Sequence, residues 1–272
     1  MDSDRRLISE RFPRASKYHA EWVMASASGG ANSLWLMEWL AEALELRPGM
    51  RVLDLGCGLA ATSVFLRREF GVQVWATDLW FSASQNLQRI CDAGVEDGVF
   101  PIHSDARSLP FAASFFDAVV SVDSFPYYGT DDLYLNDIAR FVKPDCVIGI
   151  AGAGLIREID DRIPAHLQEW WEPSLWCLHS ASWWRRHWER TGILTIEVAD
   201  AMPEGWQAWL AWQRAVAPEN TTELRAVEAD GGRYLGYVRV VGRRRVDAHL
   251  EEPIVAVPTS YAKKPLLRGE QS

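Results

Sequence analysis

The stretch Val52-Leu53-Asp54-Leu55-Gly56-Cys57-Gly58-Leu59-Ala60 constrains the fold more than any other part of the chain. Apolar residues flank a single carboxylate, and a charge inside a buried strand is costly without a partner. Gly56 and Gly58 remove Cβ atoms where the chain must turn sharply and where a ligand can touch backbone. A helix over about 59–70 then offers its free N–H groups to whatever sits at the turn. Strand, acid, glycine turn and helix together predict a cofactor site.

The alternation of strand and helix continues around this stretch. Asn32 reads as an N-cap. Leu36, Met37, Leu40, Ala43 and Leu44 follow at helical spacing over 33–46. Strands are expected at 51–55, 72–77, 99–103, 115–122 and 146–151, with helices at 59–70, 82–93 and 133–141 between them. Such alternation means a mostly parallel sheet wrapped by helices. Ligands on such sheets bind outside the carboxyl ends of the strands, where Asp78, Asp105 and Asp123 all fall.

From 152 to 180 the alternation stops. Pro164, Pro173 and the pair Trp170-Trp171 mark an inserted segment. A helix at 181–190 and strands at 193–198 and 234–241 resume the pattern. The segment 203–230 reads as helical, with Trp206, Trp209 and Leu210 at spacings of three and four. These features give one domain over 1–245, with a core of 32–152 and 181–242 and cap insertions at 155–180 and 200–230. A helix over 17–27, with Tyr18 and Trp22 on one face, is expected on the same side as the cap. Residues 246–272 carry no periodicity and are expected to form an extended or partly disordered tail.

Bulk properties exclude several classes. A net charge of −9 opposes nucleic acid, whose phosphates need a concentrated basic face. No apolar run approaches the ~20 residues of a membrane span, and the charged start Met1-Asp2-Ser3-Asp4-Arg5-Arg6 is not a signal peptide. Cys57, Cys91, Cys146 and Cys177 show no CxxC pairing and no metal spacing. They read as reduced thiols of a cytoplasmic protein, with no metal site. Tryptophan is the outlier: 14 residues, nine of them from Trp170 to Trp212. Buried aromatics mostly pack, so this cluster reads first as cap core and second as a pocket for an apolar or cationic molecule.

Two cofactor classes use a glycine turn after the first strand. A dinucleotide oxidoreductase wants G-x-G-x-x-G, here with Ala61 at the sixth position. Asp54 argues against it, because a carboxylate would repel the pyrophosphate. Asp54-Leu55-Gly56-Cys57-Gly58 instead resembles the first motif of the class I S-adenosylmethionine-dependent methyltransferases. The resemblance continues through Asp78, His103-Ser104-Asp105-Ala106 with Leu109-Pro110-Phe111, Phe116-Asp117-Ala118-Val119-Val120-Ser121, and the 133–144 segment. It covers about 32–152 and is similar to the small-molecule branch that includes quinone and sterol methyltransferases. The third glycine of the family motif is Ala60 here.

The resemblance implies an α/β, Rossmann-like seven-stranded sheet, mostly parallel with the last strand antiparallel, flanked by helices and covered by a helical Trp-rich cap. It implies S-adenosyl-L-methionine as cofactor. Gly56, Cys57 and Gly58 would line the methionine and ribose, and Asp54 would act on the cofactor's amino group. Asp78 would take the ribose hydroxyls. Ser104, Asp105 and Ala106 would meet the adenine edge, and Leu79 its face. Val122 and Asp123 would border the transferable methyl, with Asp123 the candidate catalytic residue. Tyr18, Trp22, Tyr127, Tyr128, Trp171, Trp176 and Trp209 are the candidate acceptor pocket. His103 reads as a satisfied core histidine, and His179 and His187 as candidate bases that no spacing selects. The expected reaction is in-line methyl transfer to a small apolar or cationic metabolite. The alternative is a non-catalytic cofactor-binding sensor or partner protein.

Overall fold

The strand read first, β1 (Arg51–Leu55), lies between two parallel neighbours in the computed structural model, which describes residues 7–27, 30–160 and 162–251. Its partners are β2 (Gln73–Asp78) and β4 (Phe116–Val122). Beyond β2 comes β3 (Val99–His103). Beyond β4 comes β5 (Val142–Leu155), then β7 (Leu235–Arg244), then β6 (Leu194–Ala201) at the edge. The order is 3-2-1-4-5-7-6, and β7 alone runs against its neighbours. A dinucleotide sheet runs 3-2-1-4-5-6 and is mostly parallel, so the reversed β7 between β5 and β6 argues against the oxidoreductase alternative.

Helices cover both faces. On one side lie α2 (Ser33–Ala41), α3 (Ala61–Phe70) and α8 (Gly205–Val216), packed on Val52, Val120 and Val241. On the other, α6 (Tyr134–Ala139) and α7 (Ala181–Glu189) cover Leu53, Val119 and Ile148. The remaining helices are α1 (Ala20–Met24), α4 (Ala83–Asp92), α5 (Pro126–Gly129) and α9 (Thr221–Asp230). Asn32 caps α2 by accepting from the N–H groups of Leu34 and Trp35.

Several boundaries differ from the sequence reading: the helix expected over 33–46 ends at Ala41, and the strands expected at 193–198 and 234–241 reach Ala201 and Arg244. The helix expected over 203–230 breaks at Ala217-Pro218-Glu219-Asn220. Ala217 leaves helical geometry at φ −140°, as a residue before proline tends to. Asn220 then restarts the chain by accepting from the Glu223 N–H. The fifth strand reaches Leu155, because pairing with β7 continues from Val147 to Leu155. The helix expected over 17–27 is a 3-10 turn at Ala15–Lys17 followed by the short α1.

Trp184, Trp188 and Trp212 are fully buried core residues. The part of the expected tail from 252 onward lies outside the described residues. Before it, the Glu251 N–H donates to Asn136 Oδ1 at 2.8 Å. Among the described residues no helix is long and apolar enough to cross a membrane.

Candidate active site: two adjoining cavities

The glycine turn after β1 takes left-handed backbone at Gly56 (φ 74°), Gly58 (φ 55°) and Ala60 (φ 59°). Alanine at the last position costs about 1 kcal/mol against glycine. A Cβ on Gly56 would stand 2.0 Å from Ser124 Oγ, so the chain following β4 demands this glycine as well. The N–H groups of Gly56 and Cys57 both donate to the Thr77 carbonyl, at 2.8 and 3.1 Å. Asp78 ties the turn to the loop beyond β2. Its Oδ2 accepts from the Gly58 N–H at 2.8 Å, and its Oδ1 from the N–H groups of Trp80 and Phe81 at 2.8 and 3.1 Å.

These groups open onto a cavity of about 210 Å3 at the carboxyl ends of β1, β2 and β4. Gly56, Cys57, Gly58, Asp78 and Leu79 line it from one side. Ser104, Asp105 and Ala106 line it beyond β3, and Val122 with Asp123 beyond β4. Asp105 Oδ1 accepts from the Arg107 N–H at 2.8 Å, and Arg107 Nη2 reaches the Tyr127 carbonyl at 3.4 Å across the mouth. The carboxylates of Asp78, Asp105 and Asp123 outnumber the single guanidinium of Arg107. The acceptor set therefore fits a ligand with hydroxyl and amino donors and a cationic centre, as S-adenosylmethionine has. Trp80, Phe81, Thr62 and Ser124 also line this cavity and were not read from the sequence. The aromatic pair directly behind Asp78 was their one available signal.

Asp54 lies behind the glycine turn. It is wholly buried and does not line the cavity. Its Oδ2 accepts from Thr62 Oγ1 and Ser63 Oγ, each at 2.6 Å, so it faces the first turn of α3 behind the glycine turn. Its Oδ1 has no partner among the described residues. Burial pushes its carboxyl up to about 6, against the pull of the two hydroxyls. Burial likewise pushes the Cys57 thiol well above its usual value, so that group stays a neutral wall.

A second cavity, of about 390 Å3, adjoins the first and shares Asp123 and Tyr127 with it. Asp123 sits at φ 54° just past β4. A Cβ on Gly152 would come within 3.2 Å of its Cα, so β5 is bare where Asp123 approaches. Asp123 Oδ1 accepts from the Ala153 N–H at 3.1 Å. Desolvation pushes its carboxyl up to about 6, although the N–H groups of Ala153, Ala31 and Gly30 hold it back. The far wall comes from the Trp-rich segments: Trp170, Glu172, Trp209, Asn220 and Glu223. Glu223 is buried, and its carboxylate accepts from Trp209 Nε1 and Asn220 Nδ2, both at 2.8 Å. Trp209 in turn stacks on Tyr237 of β7, with ring centroids 5.6 Å apart.

The expected acceptor residues divide. Tyr127 lines both cavities, Trp209 the second, and Tyr128 the first. The Tyr128 hydroxyl lies 3.2 Å from both Ser121 Oγ and Ser124 Oγ, and burial pushes it up to about 12, so it stays a neutral phenol. Tyr18 and Trp22 line neither cavity. Tyr18 packs on Phe65 and bonds Glu69, and Trp22 lies under the Arg89 guanidinium. Sharing a helix face told nothing of what that face meets. Trp171 and Trp176 pack edge-on against each other outside both cavities. His103 is exposed, its ring bonded to the Leu79 carbonyl. His179 and His187 sandwich Trp183, away from both cavities. Trp170, one of the tryptophan cluster read as core or pocket, lines the second cavity, while Glu172, Asn220 and Glu223 went unread, since no periodicity links them to the sheet.

A sheet of this order with one reversed strand, carrying a glycine turn flanked by carboxylates at its carboxyl edge, is the fold of the class I S-adenosylmethionine-dependent methyltransferases. Residues 52–145 match the methyltransferase domain family. Methyltransferase GfsG of Streptomyces halstedii is 28% identical over 127 residues, 46% of this chain and 46% of that protein. The 2-methyl-6-phytyl-1,4-hydroquinone methyltransferase of Synechocystis sp. is 27% identical over 191 residues, 64% of this chain and 57% of that protein. The chain spans about half the length of these curated relatives. Geranyl diphosphate C-methyltransferase from Streptomyces coelicolor A3(2), crystallised with Mg2+, geranyl diphosphate and S-adenosyl-L-homocysteine, superposes with TM-score 0.60 at 18% identity. That match covers 76% of this chain and 79% of the other. The [4+2]-cyclase SpnF superposes with TM-score 0.58 at 22% identity, over 78% of this chain and 80% of that one. At these identities the likeness is one of fold.

Proposed function

We propose that the protein transfers a methyl group from S-adenosylmethionine to a small molecule held in the second cavity. One observation carries this reading: the two cavities meet at Asp123 and Tyr127, so a methyl held in the first would face a nucleophile held in the second. The bound cofactor supplies a methyl on an already activated sulfonium. The chain's work is then to bind, align and exclude water. Gly56, Gly58 and Ala106 present backbone to the cofactor, Asp78 its ribose contact and Asp105 its adenine contact. Asp123 stands at the seam beside the reacting atoms. The segments 155–180 and 200–230 act as a cap, with Trp170 and Trp209 closing the acceptor side. The acceptor is a small apolar or cationic metabolite rather than a macromolecule. The four cysteines are unpaired, which supports a cytoplasmic setting.

Calorimetry with S-adenosylmethionine and S-adenosylhomocysteine tests the cofactor half, with an expected dissociation constant in the low micromolar range, about −8 kcal/mol. Transfer of labelled methyl to fractionated metabolite pools tests the whole. Binding without turnover in any pool would favour the non-catalytic sensor, a live contrast because SpnF, a cyclase, shares the fold.

A further inference from the structure

The second cavity is acidic and aromatic at once. Asp123, Glu172 and Glu223 line it, and no lysine, arginine or histidine does. Among the described residues none of the three carboxylates makes a salt bridge. The faces of Trp170, Trp209 and Tyr127 complete the wall. Behind Trp209, the fully buried Tyr237 hydroxyl has no hydrogen-bond partner among the described residues. Tyr237 pairs with Ala153 across β5 and β7, and Ala153 lines the cavity, so both side chains lie on one face of the sheet. Asp123 and Glu223 both add to the burial that keeps this phenol neutral.

From this constellation we propose that the second cavity takes an organic cation, an aliphatic amine in its ammonium form, as the methyl acceptor. The proposal rests on the methyl-transfer reading above and narrows it. Glu223 is buried and Asp123 half-buried; carboxylates so placed without counter-charge are costly, and a bound ammonium removes that cost. Indole and phenol faces attract the same charge. An apolar acceptor would leave the carboxylates desolvated and unpaired. An anionic acceptor would meet three like charges. A metal-bridged anion is disfavoured too, because no group of three His, Cys, Asp or Glu is arranged to hold an ion among the described residues. In the reaction the ammonium gives one proton to the Asp123 carboxylate, which passes it to solvent. The freed nitrogen lone pair forms the new N–C bond while the C–S bond breaks and its electron pair stays on sulfur. The sulfonium becomes a neutral thioether, and the methylated amine takes up the positive charge.

Three isosteric probes test this against protein saturated with S-adenosylhomocysteine: phenethylamine, 2-phenylethanol and phenylacetate. Calorimetry should show the amine binding at least tenfold more tightly than the alcohol, and the acid not at all. Glu223→Gln and Glu172→Gln should each lower amine affinity about fivefold to tenfold, leaving the alcohol and S-adenosylhomocysteine unchanged. Glu172 is exposed, so its variant stays informative even if Glu223→Gln perturbs the Trp209 contact. The proposal falls if the alcohol or acid binds as well as the amine, if none of the three binds, or if both variants bind the amine like the parent. Labelled-methyl transfer separates the two readings. Selective amine binding with no transfer to any amine overturns methyl transfer and keeps the cation site. Transfer confined to neutral acceptors overturns the cation site and keeps methyl transfer.

Discussion

The two cavities meet at one aspartate but are built in opposite ways. The cofactor cavity is lined mainly by the strand ends and turns between Leu55 and Tyr128, joined by Ser26, Ala27, Ala31 and Ser33. Much of its polar surface is main chain fixed by the glycine turn and by Asp78. The second cavity gathers Gly30, Asp123, Ala153, Trp170, Trp209 and Glu223 from six separate stretches and is walled mainly by side chains. A backbone-built site tolerates little change, because altering it means altering the sheet edge. A side-chain-built site can change its ligand residue by residue.

Gly56→Val should break the cofactor side most severely. It places a branched side chain 2.0 Å from Ser124 Oγ at a backbone φ of 74°, and should cost at least ~3 kcal/mol in stability or abolish cofactor binding. Calorimetry beside thermal melts reads this; near-parental binding would mean the turn has room to shift. Asp54→Asn tests the acid behind the turn. Its pKa of about 6 lies above the unfolded value near 3.8. Between about pH 4 and 6 the folded chain therefore holds a proton that the unfolded chain releases. This group's contribution to stability falls as pH rises through that window and is level above it, by about 2–3 kcal/mol in all. Urea titrations at pH 4.5 and 7.5 should show the variant gaining on the parent at the higher pH. An equal gap at both would refute the buried charge.

Asp78→Ala should weaken cofactor binding by ~2 kcal/mol or more, about thirtyfold, and leave amine binding in the second cavity intact. Parental cofactor affinity would remove Asp78 from the site. Trp209→Phe keeps an aromatic face but loses the indole bond to Glu223, and should reduce acceptor binding by ~1 kcal/mol with cofactor affinity unchanged. A loss on the cofactor side instead would mean the cavities are coupled. Tyr18→Phe should be the smallest change, under ~0.5 kcal/mol of stability and none in turnover, because its hydroxyl meets only Glu69 at 3.4 Å. A drop in acceptor binding would return Tyr18 to the pocket.

What could be read in advance follows the same division. Asp78, Asp105 and the glycine turn were legible because an α/β alternation puts strand ends at the site, and each strand announced its own end. Asp54 was legible as a residue but not as a direction. Strand period leaves open whether a carboxylate faces the ligand or the following helix, and Thr62 and Ser63 settled that. Trp209 and Trp170 became wall while Trp184 and Trp188 became core, although all four read alike. Composition cannot sort them, since the sorting depends on which segments come together. Glu223 gave no sign at all, because Asn220 beside it serves as a helix cap and its other partner, Trp209, sits on a different helix.

The reversed β7 has a further consequence. Because β6 and β7 are antiparallel neighbours, the excursion 202–234 leaves and re-enters the sheet at one place, with Ala201 opposite Val238 and the Met202 N–H on the Tyr237 carbonyl at 2.8 Å. It is therefore the loop of a hairpin, not a crossover that the sheet order requires. Lengthening such a loop is cheap, about 0.6 kcal/mol per doubling. One side of the acceptor chamber thus hangs from a detachable cassette. A lineage could exchange that cassette wholesale and acquire a new clientele while its cofactor machinery stayed untouched.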